Sequence, residues 1–312
     1  MTDPKVTGLC GFGLEVPELA AAQRFYETFG LAAQRSDETL LLACPSRRDP
    51  EIVVTEGRQK RMHHISFFIA PEHESAFADK LHRAGLAVTD APPPGGRRAG
   101  LWFQDPWGTW INLNPTHPAP TPQIALPPAN LGGRGDRVDV NLWQELDKNR
   151  NRPPLRIGHM LIFTQDWERA EGFFANTLGL RTTARGKGKV AFMAAGDGVT
   201  DHHCFGLINS SHRGFQHASF QVAALDDLGY GAWRMRAAGY KEAFGPGRHA
   251  IASNLFHYTR DPWGSWVEYY ADMDKITERW QCRDWESLPY TWGPEWSPEF
   301  WNGEMNANLE PR

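Results

Sequence analysis

Apolar residues recur along the chain in a pattern that repeats four times, at intervals of about fifty residues. Each repeat opens with an alternating or continuously apolar run, which is typical of a strand in a half-buried sheet. A stretch follows in which apolar residues are three and four positions apart, as Ala21, Phe25, Tyr26 and Phe29 are. This spacing predicts a helix with one buried face. Three short strand-like runs close each repeat, so the pattern predicts an α+β protein built from four βαβββ modules.

The boundaries of the repeated elements follow from the same pattern. The opening strands are predicted at 8–16, 62–70, 156–164 and 215–223. The helices are predicted at 18–30, 73–85, 166–179 and 225–239, each ending at a glycine. Paired modules of this kind curl into a half-open mixed β-barrel with flanking helices, and inward-facing side chains converge in its cavity.

A segment rich in proline and glycine separates the second module from the third. It spans 115–137 and excludes regular structure, so we interpret it as a domain linker, followed by a short helix at 138–149. The predicted division of the chain is an N-terminal domain, a linker with its short helix, a C-terminal domain and a tryptophan-rich tail, at 1–116, 117–154, 155–272 and 273–312.

The composition is that of a globular protein, since 41% of the 312 residues are hydrophobic and 22% are charged. The net charge of −4, without a block of Lys or Arg, argues against nucleic acid as a partner, because a phosphate-binding face needs clustered cations. No apolar run is long enough for a membrane span, and the first residues lack the form of a signal peptide. The four cysteines are scattered without metal-type spacing, so we expect a reduced, cytoplasmic protein.

The repeat allows positions of the two halves to be compared within one chain. Both halves contain a DPWG turn, and alignment on the strands and turns pairs Gly11 with His159, His64 with His217, and Asn112 with Glu268. The N-terminal half therefore offers Gly, His and Asn where the C-terminal half offers His, His and Glu. Only the second set is suited to a divalent cation.

Two imidazoles and one carboxylate on one face of a metal leave three coordination positions open. Non-haem Fe(II) oxygenases use this arrangement, because the open positions accept a bidentate substrate together with dioxygen. A single histidine in an apolar strand is more often a structural core residue than a ligand. Here His159 and His217 occur at equivalent repeat positions together with Glu268, and this combination favours a metal site.

With these residues the chain resembles a known family, the type I extradiol ring-cleavage dioxygenases of the vicinal oxygen chelate superfamily. The most specific motif runs from His249 through Tyr258, nine residues later, and a DPWG turn to Glu268. One departure is His257, where the family usually has an aliphatic residue. Strand alternation directs this side chain away from the cavity. The resemblance covers essentially the whole chain and implies two vicinal oxygen chelate domains, of which the first is metal-free.

The resemblance also implies roles for individual residues. His159, His217 and Glu268 match the iron ligands of the family, with Mn(II) as an alternative metal. His203 matches the acid/base near the oxygen site, and His202 stays open as an alternative because the following loop can differ by one residue. His249 and Tyr258 match the residues that donate to or accept from the substrate hydroxyls.

The tail is similar to the C-terminal lid of the homoprotocatechuate 2,3-dioxygenase-like branch. It carries five tryptophans between Trp280 and Trp301, and either an active-site lid or an oligomer contact would account for them. That branch has an arginine for the substrate carboxylate five residues before His249, where this chain has Phe244. Arg283 is available to bind an anion in its place, and Arg248 is a further expected substrate contact.

Taken together, the resemblance implies extradiol cleavage of a catechol with O₂, in aromatic degradation, by a homo-oligomer. The expected product is a ring-opened muconic semialdehyde. Two alternatives on the same fold remain. A glyoxalase- or epimerase-type metalloenzyme needs no set equivalent to His203, His249 and Tyr258. A non-catalytic module that sequesters a ligand needs no metal triad.

Overall fold

The structure is a computed structural model that describes residues 3–36, 38–96, 98–124, 139, 152–287, 290–296 and 300–301, with only the backbone of 290. The predicted helix at 138–149 and most of the predicted linker lie outside the described residues. In the described part there are four α-helices: α1 (Leu19–Phe29), α2 (Glu74–Arg83), α3 (Trp167–Leu178) and α4 (Leu225–Ala237). None of them combines the length and apolar character that crossing a bilayer requires.

Each α-helix lies within one of the predicted helical stretches. The buried face of α1 consists of Leu19, Ala22, Phe25, Tyr26 and Phe29, so the expected Ala21 lies beside that face rather than on it. The first helix of each half ends at a glycine, Gly30 or Gly179, with φ of 108° and 73°. This is the left-handed region in which glycine ends a helix without strain.

The first half of the chain forms one seven-stranded sheet. Its strands are β1 (Gly8–Val16), β2 (Ala32–Ser36), β3 (Thr39–Ala43), β4 (Ile52–Glu56), β5 (Arg61–Phe68), β6 (Leu101–Gln104) and β7 (Trp110–Asn114). They are arranged in the order β2-β3-β4-β1-β5-β7-β6. The opening strands of the two modules, β1 and β5, therefore lie side by side and antiparallel at the centre.

The second half repeats this arrangement and extends it. Its strands are β8 (Arg156–Thr164), β9 (Arg181–Gly186), β10 (Val190–Ala194), β11 (Thr200–Asp201), β12 (Phe205–Asn209), β13 (Gly214–Gln221), β14 (Ala243–His249), β15 (Leu255–Arg260), β16 (Trp266–Ala271), β17 (Lys275–Ile276), β18 (Arg283–Trp285) and β19 (Tyr290–Trp292). Ten of them form one sheet, in the order β18-β9-β10-β12-β8-β13-β16-β15-β14-β19. The strands β11 and β17 pair separately.

The second module has fewer closing strands than the sequence predicts. Where the fourth module has the strands β14, β15 and β16, the second has β6, β7 and an isolated bridge between Thr89 and Trp102. The stretch before β6 contains three consecutive prolines, 92–94, which lack the N–H that a ladder requires. The expectation of three closing strands is therefore wrong for this module among the described residues.

The two halves share a single hydrophobic core. Phe12 of β1 stacks on Phe215 of β13 with ring centroids 5.0 Å apart, and Phe29 of α1 stacks on Tyr269 of β16 at 3.9 Å. The hydroxyl of Tyr269 also donates to the carbonyl oxygen of Phe29, at 2.7 Å. This hydroxyl, buried at the junction, is therefore satisfied by the other half of the chain.

The two DPWG turns have the same internal structure. In the first, Asp105 Oδ1 accepts from the backbone N–H groups of Trp107 and Thr109, at 2.9 and 2.8 Å. In the second, Asp261 Oδ1 accepts from those of Trp263 and Ser265, at 2.9 and 3.0 Å.

Each turn is also contacted by a cation of the opposite half. Lys60, immediately before β5, forms a fully buried ion pair with Asp261. Arg213, immediately before β13, donates to the carbonyl oxygen of Trp107. The DPWG turns therefore connect the two halves reciprocally.

Candidate active site

The three central strands of the second sheet bring the expected metal ligands together. Ser219 of β13 pairs with His159 of β8 on one side and with Glu268 of β16 on the other. His217 precedes Ser219 by two residues on β13, and residues two apart share one face of a strand. The alternation of β-structure thus directs both histidines and the glutamate to the same side of the sheet.

The ligand atoms of His159, His217 and Glu268 all lie within 4.8 Å of one another, and the three residues are buried. Nε2 of His159 is 3.1 Å from Glu268 Oε2, and Nε2 of His217 is 3.6 Å from the same oxygen. Nε2 of His217 has no hydrogen-bond partner in the described part of the chain. A buried, unpaired imidazole nitrogen is costly unless it binds something, so two nitrogens and a carboxylate in this geometry fit a divalent cation.

Neighbouring polar groups hold two of these side chains, Glu268 and His217, in place. Glu268 accepts from Ser219 Oγ at Oε2 and from Asn254 Nδ2 at Oε1, the latter at 3.5 Å. Nδ1 of His217 contacts Gln216 Oε1. Burial holds the pKa of His217 well below its usual range, so the ring is neutral and keeps a lone pair for a ligand at pH 7.

Of the paired histidines, His203 reaches the cavity. Its ring centroid lies 4.5 Å from that of His159, and it lines the cavity wall. Burial, with a smaller contribution from His159, holds the pKa of His203 well below its usual range. His202 instead packs its ring on Trp280 at 5.2 Å and contacts His203 through Nδ1 at 3.1 Å, behind the wall.

His249 and Tyr258 form the opposite side of the cavity. Nε2 of His249 is 3.3 Å from the hydroxyl oxygen of Tyr258 and 3.9 Å from Glu268 Oε1. Burial lowers the pKa of His249 to about 3, so the ring is neutral at pH 7. Burial and, secondarily, Glu268 raise the pKa of Tyr258 well above its usual range, so that the phenol keeps its proton. Both groups can therefore exchange hydrogen bonds with a bound hydroxyl.

Apart from the histidines, Tyr258 and Asn254, the described residues of the cavity wall are apolar. The sheet contributes Leu161, Val190, Phe192 and Ile208, and the loop after β14 contributes Ile251. The tail contributes Trp296, Phe300 and Trp301. No lysine or arginine is among the described residues that line this cavity.

Three residues expected to contact the substrate do not reach the cavity wall. Phe244 stacks behind Tyr258 with a centroid distance of 4.5 Å, and so supports that ring. Arg248 is bound to the carbonyl oxygen of Ser253 and to Asp272. Arg283 is exposed on β18, which pairs with β9 at the edge of the sheet, and its guanidinium lies over Trp280. Its position on that outer strand keeps it from replacing a carboxylate-binding arginine.

Three residues that support the site were not predicted from the sequence: Gln216, Ser219 and Asn254. Gln216 and Ser219 could have been found from their positions, because Gln216 directly precedes the predicted ligand His217 and Ser219 follows it by two residues. Asn254 could be found only from the fold, because the loop that carries it has no counterpart in the first half.

The corresponding place in the first half is filled by protein atoms. Gly11 and Asn112 flank Ser66 as His159 and Glu268 flank Ser219, which confirms the alignment of the repeats. The buried Arg98 places its guanidinium beside Gly11, where it donates to the carbonyl oxygen of Pro50 and contacts Cys10 Sγ at 3.3 Å. The guanidinium cation of Arg98 thus lies beside Gly11, the position that is equivalent to His159 in the second half.

Comparison with known proteins agrees with this fold and site. Residues 156–269 match the model of the Glyoxalase/Bleomycin resistance protein/Dioxygenase superfamily. The chain is 36% identical over 296 residues to metapyrocatechase 2 of Cupriavidus necator, covering 93% of this chain and 89% of that protein.

Two solved structures share the fold. An extradiol ring-cleaving dioxygenase from B. fuscum superposes with a TM-score of 0.76 at 18% identity, covering 96% of this chain and 82% of that one. A Mn(II)-bound glyoxalase from Novosphingobium aromaticivorans gives 0.72 at 19% identity, covering 96% and 91%.

The fold and the buried triad define a two-domain protein of the glyoxalase and dioxygenase superfamily with a catalytic metal. Within it, this chain belongs to the extradiol dioxygenases of the vicinal oxygen chelate superfamily. It is therefore an enzyme of extradiol ring cleavage, which incorporates both atoms of O₂ into an aromatic diol. The 36% identical relative, a metapyrocatechase, favours this activity over the glyoxalase and ligand-sequestering alternatives.

Proposed function

We propose that this enzyme cleaves a catechol with an alkyl or aryl substituent, at Fe(II) held by His159, His217 and Glu268. The observation that carries the proposal is a buried 2-His-1-carboxylate group in a cavity whose remaining described wall is largely aliphatic and aromatic and contains no lysine or arginine. When bound, the metal would lower the pKa of the catechol hydroxyls and bring substrate and O₂ together. Mn(II) has compatible ligand preferences and is the alternative metal.

The remaining polar side chains have distinct proposed roles. His249 Nε2 and the Tyr258 hydroxyl orient the oxygens of the diol. His203 uses Nε2 for the substrate, because its Nδ1 faces His202. A neutral His203 accepts a proton from the diol and returns it later in the reaction, as a general base and then a general acid. The apolar wall excludes water from the site.

The preference for an apolar substituent rests on the lining of the cavity. Aromatic and aliphatic walls stabilise a substituent by about 25 cal/mol for each Å² of apolar surface that is buried. A carboxylate buried there without a cation would cost several kcal/mol. Catechols with acetate or carboxylate side chains are therefore expected to be poor substrates.

The test compares 4-methylcatechol with 3,4-dihydroxyphenylacetate by oxygen uptake and iron content. We expect a higher kcat/KM for 4-methylcatechol, and the same ratio in Arg283→Ala, since Arg283 lies on the outer strand β18. A preference for the acid would overturn the substrate class. Metal-loaded protein that consumes no oxygen with either diol would overturn the activity itself and favour the glyoxalase-type alternative.

The division of the chain at 116, 154 and 272 remains part of the proposal. It is supported by the separation of β1–β7 from β8–β16 into different sheets. The strands β18 and β19 join the second sheet, so the tail belongs to the same folding unit as the catalytic domain. We also propose a homo-oligomer, which light scattering of the purified protein would test.

A further inference from the structure

The strand β13 contains an irregularity directly beside the proposed metal site. Phe215 pairs with Ile162 and His217 pairs with Leu161, so Gln216 is an extra residue without a partner across the ladder. In a regular strand, adjacent side chains point to opposite faces. A bulge relaxes this rule and re-aims a side chain. It therefore accounts for the contact between the neighbouring side chains of Gln216 and His217.

The contact determines which nitrogen of His217 carries the proton. Gln216 is completely buried, and its Oε1 faces Nδ1 of His217. An amide oxygen can only accept, so Nδ1 must be protonated in the neutral ring and Nε2 must be the free lone pair. This is the tautomer that a metal ligand requires.

The other end of the same amide binds the tail. Nε2 of Gln216 donates to the carbonyl oxygen of Phe300 at 3.2 Å. A carbonyl oxygen also only accepts, so both contacts assign the same orientation to the amide. The ring of Phe300 packs on His217 with centroids 6.0 Å apart and on Tyr258 at 5.1 Å. One buried side chain thus joins a proposed metal ligand to a tail residue of the cavity wall.

The metal-free half repeats this arrangement at the equivalent bulge. The pairing of β1 with β5 shifts between His64 and Met62, which leaves His63 as the extra residue. Nδ1 of His63 lies 2.8 Å from Nδ1 of His64, and its Nε2 lies 2.5 Å from the carbonyl oxygen of Pro94. In both halves the bulged residue connects the strand histidine to the backbone of a covering segment. His63 therefore provides a matched control without a nearby metal site.

We propose that Gln216 is a positioning residue that couples binding of the metal at His217 to docking of Phe300 on the cavity. The inference rests on the proposed metal site. Metal binding favours the His217 tautomer that donates to Gln216, and this directs the amide N–H groups toward Phe300. Because thermodynamic coupling is reciprocal, docking of Phe300 favours metal binding in turn.

Two variants separate the two contacts. Gln216→Leu removes both, whereas Gln216→Glu keeps an acceptor for His217 Nδ1 and removes the donor to Phe300. The Fe(II) dissociation constant is measured anaerobically against a competing chelator. Docking is measured by hydrogen exchange at the Phe300 and Trp301 amides, resolved by fragmentation mass spectrometry, with and without Fe(II). His63→Leu is the control.

We expect Gln216→Leu to weaken Fe(II) binding by about 10- to 100-fold, the usual effect of losing a partner of a metal ligand. Gln216→Glu keeps the acceptor for His217 Nδ1 and loses only the contribution of Phe300 docking, so its Fe(II) affinity should fall less than that of Gln216→Leu. In both variants exchange at Phe300 and Trp301 should be faster than in the wild type, and Fe(II) should no longer slow it. His63→Leu should match the wild type in both measurements.

Wild-type affinity in Gln216→Leu, or exchange that Fe(II) slows equally in wild type and Gln216→Glu, would overturn the coupling while leaving the proposed function intact. A wild-type protein that binds no Fe(II) would instead overturn the proposed metal site. If Gln216→Leu does not fold, Gln216→Glu alone decides. The proposal is then supported if Fe(II) no longer slows exchange at Phe300 and Trp301 in Gln216→Glu.

Discussion

Glu268 and Asn112 occupy equivalent positions of the repeat, yet their surroundings differ in charge. Glu268 faces two imidazoles, whereas Asn112 donates through Nδ2 to the carbonyl oxygens of Ala99 and Leu101, at 3.1 and 3.4 Å. We expect Glu268→Gln to weaken Fe(II) binding, because a neutral amide is a poorer ligand for a hard cation. The measurement is the metal content after dialysis, with His64→Ala as the control. Iron lost from His64→Ala but kept by Glu268→Gln would contradict the assignment.

His203 and His202 are adjacent, but only His203 lines the cavity. His203→Phe should keep iron and substrate binding and slow turnover by about 100- to 10,000-fold, the range for a lost acid or base. His202→Phe, which keeps the ring packing on Trp280, should have a smaller effect. Single-turnover kinetics with an anaerobically bound diol measure both. Equal losses in the two variants would show that the pair acts as a unit.

His257 gives the protein a dependence of stability on pH. Burial lowers its pKa to about 4, and the backbone carbonyl of Gly245 opposes this only in part. In the unfolded chain the ring titrates near its ordinary value of about 6.5. The unfolded state therefore binds more protons between these values. The stabilisation that comes from keeping His257 neutral in the folded state is therefore complete above a pH of about 6.5, and it is lost as the pH falls toward about 4.

We expect His257→Leu to retain more of its free energy of unfolding in acid than the wild type does. At about 1.4 kcal/mol for each pKa unit, the contribution of this histidine is of the order of 3 kcal/mol. Urea unfolding at several pH values between about 4 and 7 measures it. Parallel curves for wild type and His257→Leu would show that the buried ring is not the cause. Other buried histidines keep part of the acid sensitivity in either protein.

At the residue scale, the sequence predicted which three side chains converge at the proposed metal site but not the residues that support them. The alignment of the two halves identifies His159, His217 and Glu268 because strand alternation preserves the side of the sheet on which each residue lies. Gln216 could not be predicted in this way, because a bulge interrupts the alternation and cannot be recognised in a hydrophobic pattern. The prediction that Arg283 contacts the substrate was wrong for a different reason. The sequence does not tell at which edge of a sheet a strand of the tail pairs, and β18 pairs at the outer edge, beside β9.

At the scale of elements, the DPWG turns have equivalent internal hydrogen bonds but differ in the group that the cation of the opposite half contacts. Lys60 pairs with the carboxylate of Asp261, whereas Arg213 donates to the backbone carbonyl oxygen of Trp107. Asp105→Ala removes the acceptor of two backbone N–H groups and should lower the free energy of unfolding by about 1–3 kcal/mol. Asp261→Ala removes the same bonds and also leaves the buried ammonium of Lys60 without its partner. It should therefore cost about 3–5 kcal/mol.

Denaturant unfolding measures both variants. A second change, Lys60→Met in the Asp261→Ala protein, should recover part of the loss, because it removes the unpaired buried charge. Equal losses in Asp105→Ala and Asp261→Ala would mean that the ion pair between the halves contributes nothing.

The four helices and the central strands followed from periodicity, because each buries one face against a common core. The second module departs from the pattern where 92–94 are all proline, and there only the bridge of Thr89 remains of the third strand. The strands β18 and β19 were not foreseen, since three-residue strands carry too few residues for a recognisable alternation.

At the scale of the whole molecule, the shared core should make the two halves unfold together. Phe12→Ala lies in the metal-free half but removes the ring that stacks on Phe215 of the catalytic half. We expect a loss of about 3–5 kcal/mol, typical of a buried phenylalanine. Loss of helical circular dichroism and release of bound iron should follow one transition. Release of iron at a lower denaturant concentration than unfolding of the remaining chain would show independent halves.

The guanidinium beside Gly11 makes a second metal site in the first half difficult to gain in evolution. Gly11 has a φ of 152°, and a Cβ there would collide with the carbonyl oxygen of Glu51 and with the side chain of Arg98. Gly11→His with Asn112→Glu would restore the ligand types but place them against a strained backbone and a resident cation. A second working centre thus requires Arg98 to change first. Because that change alone confers no catalytic benefit, the first half is expected to remain without a metal centre.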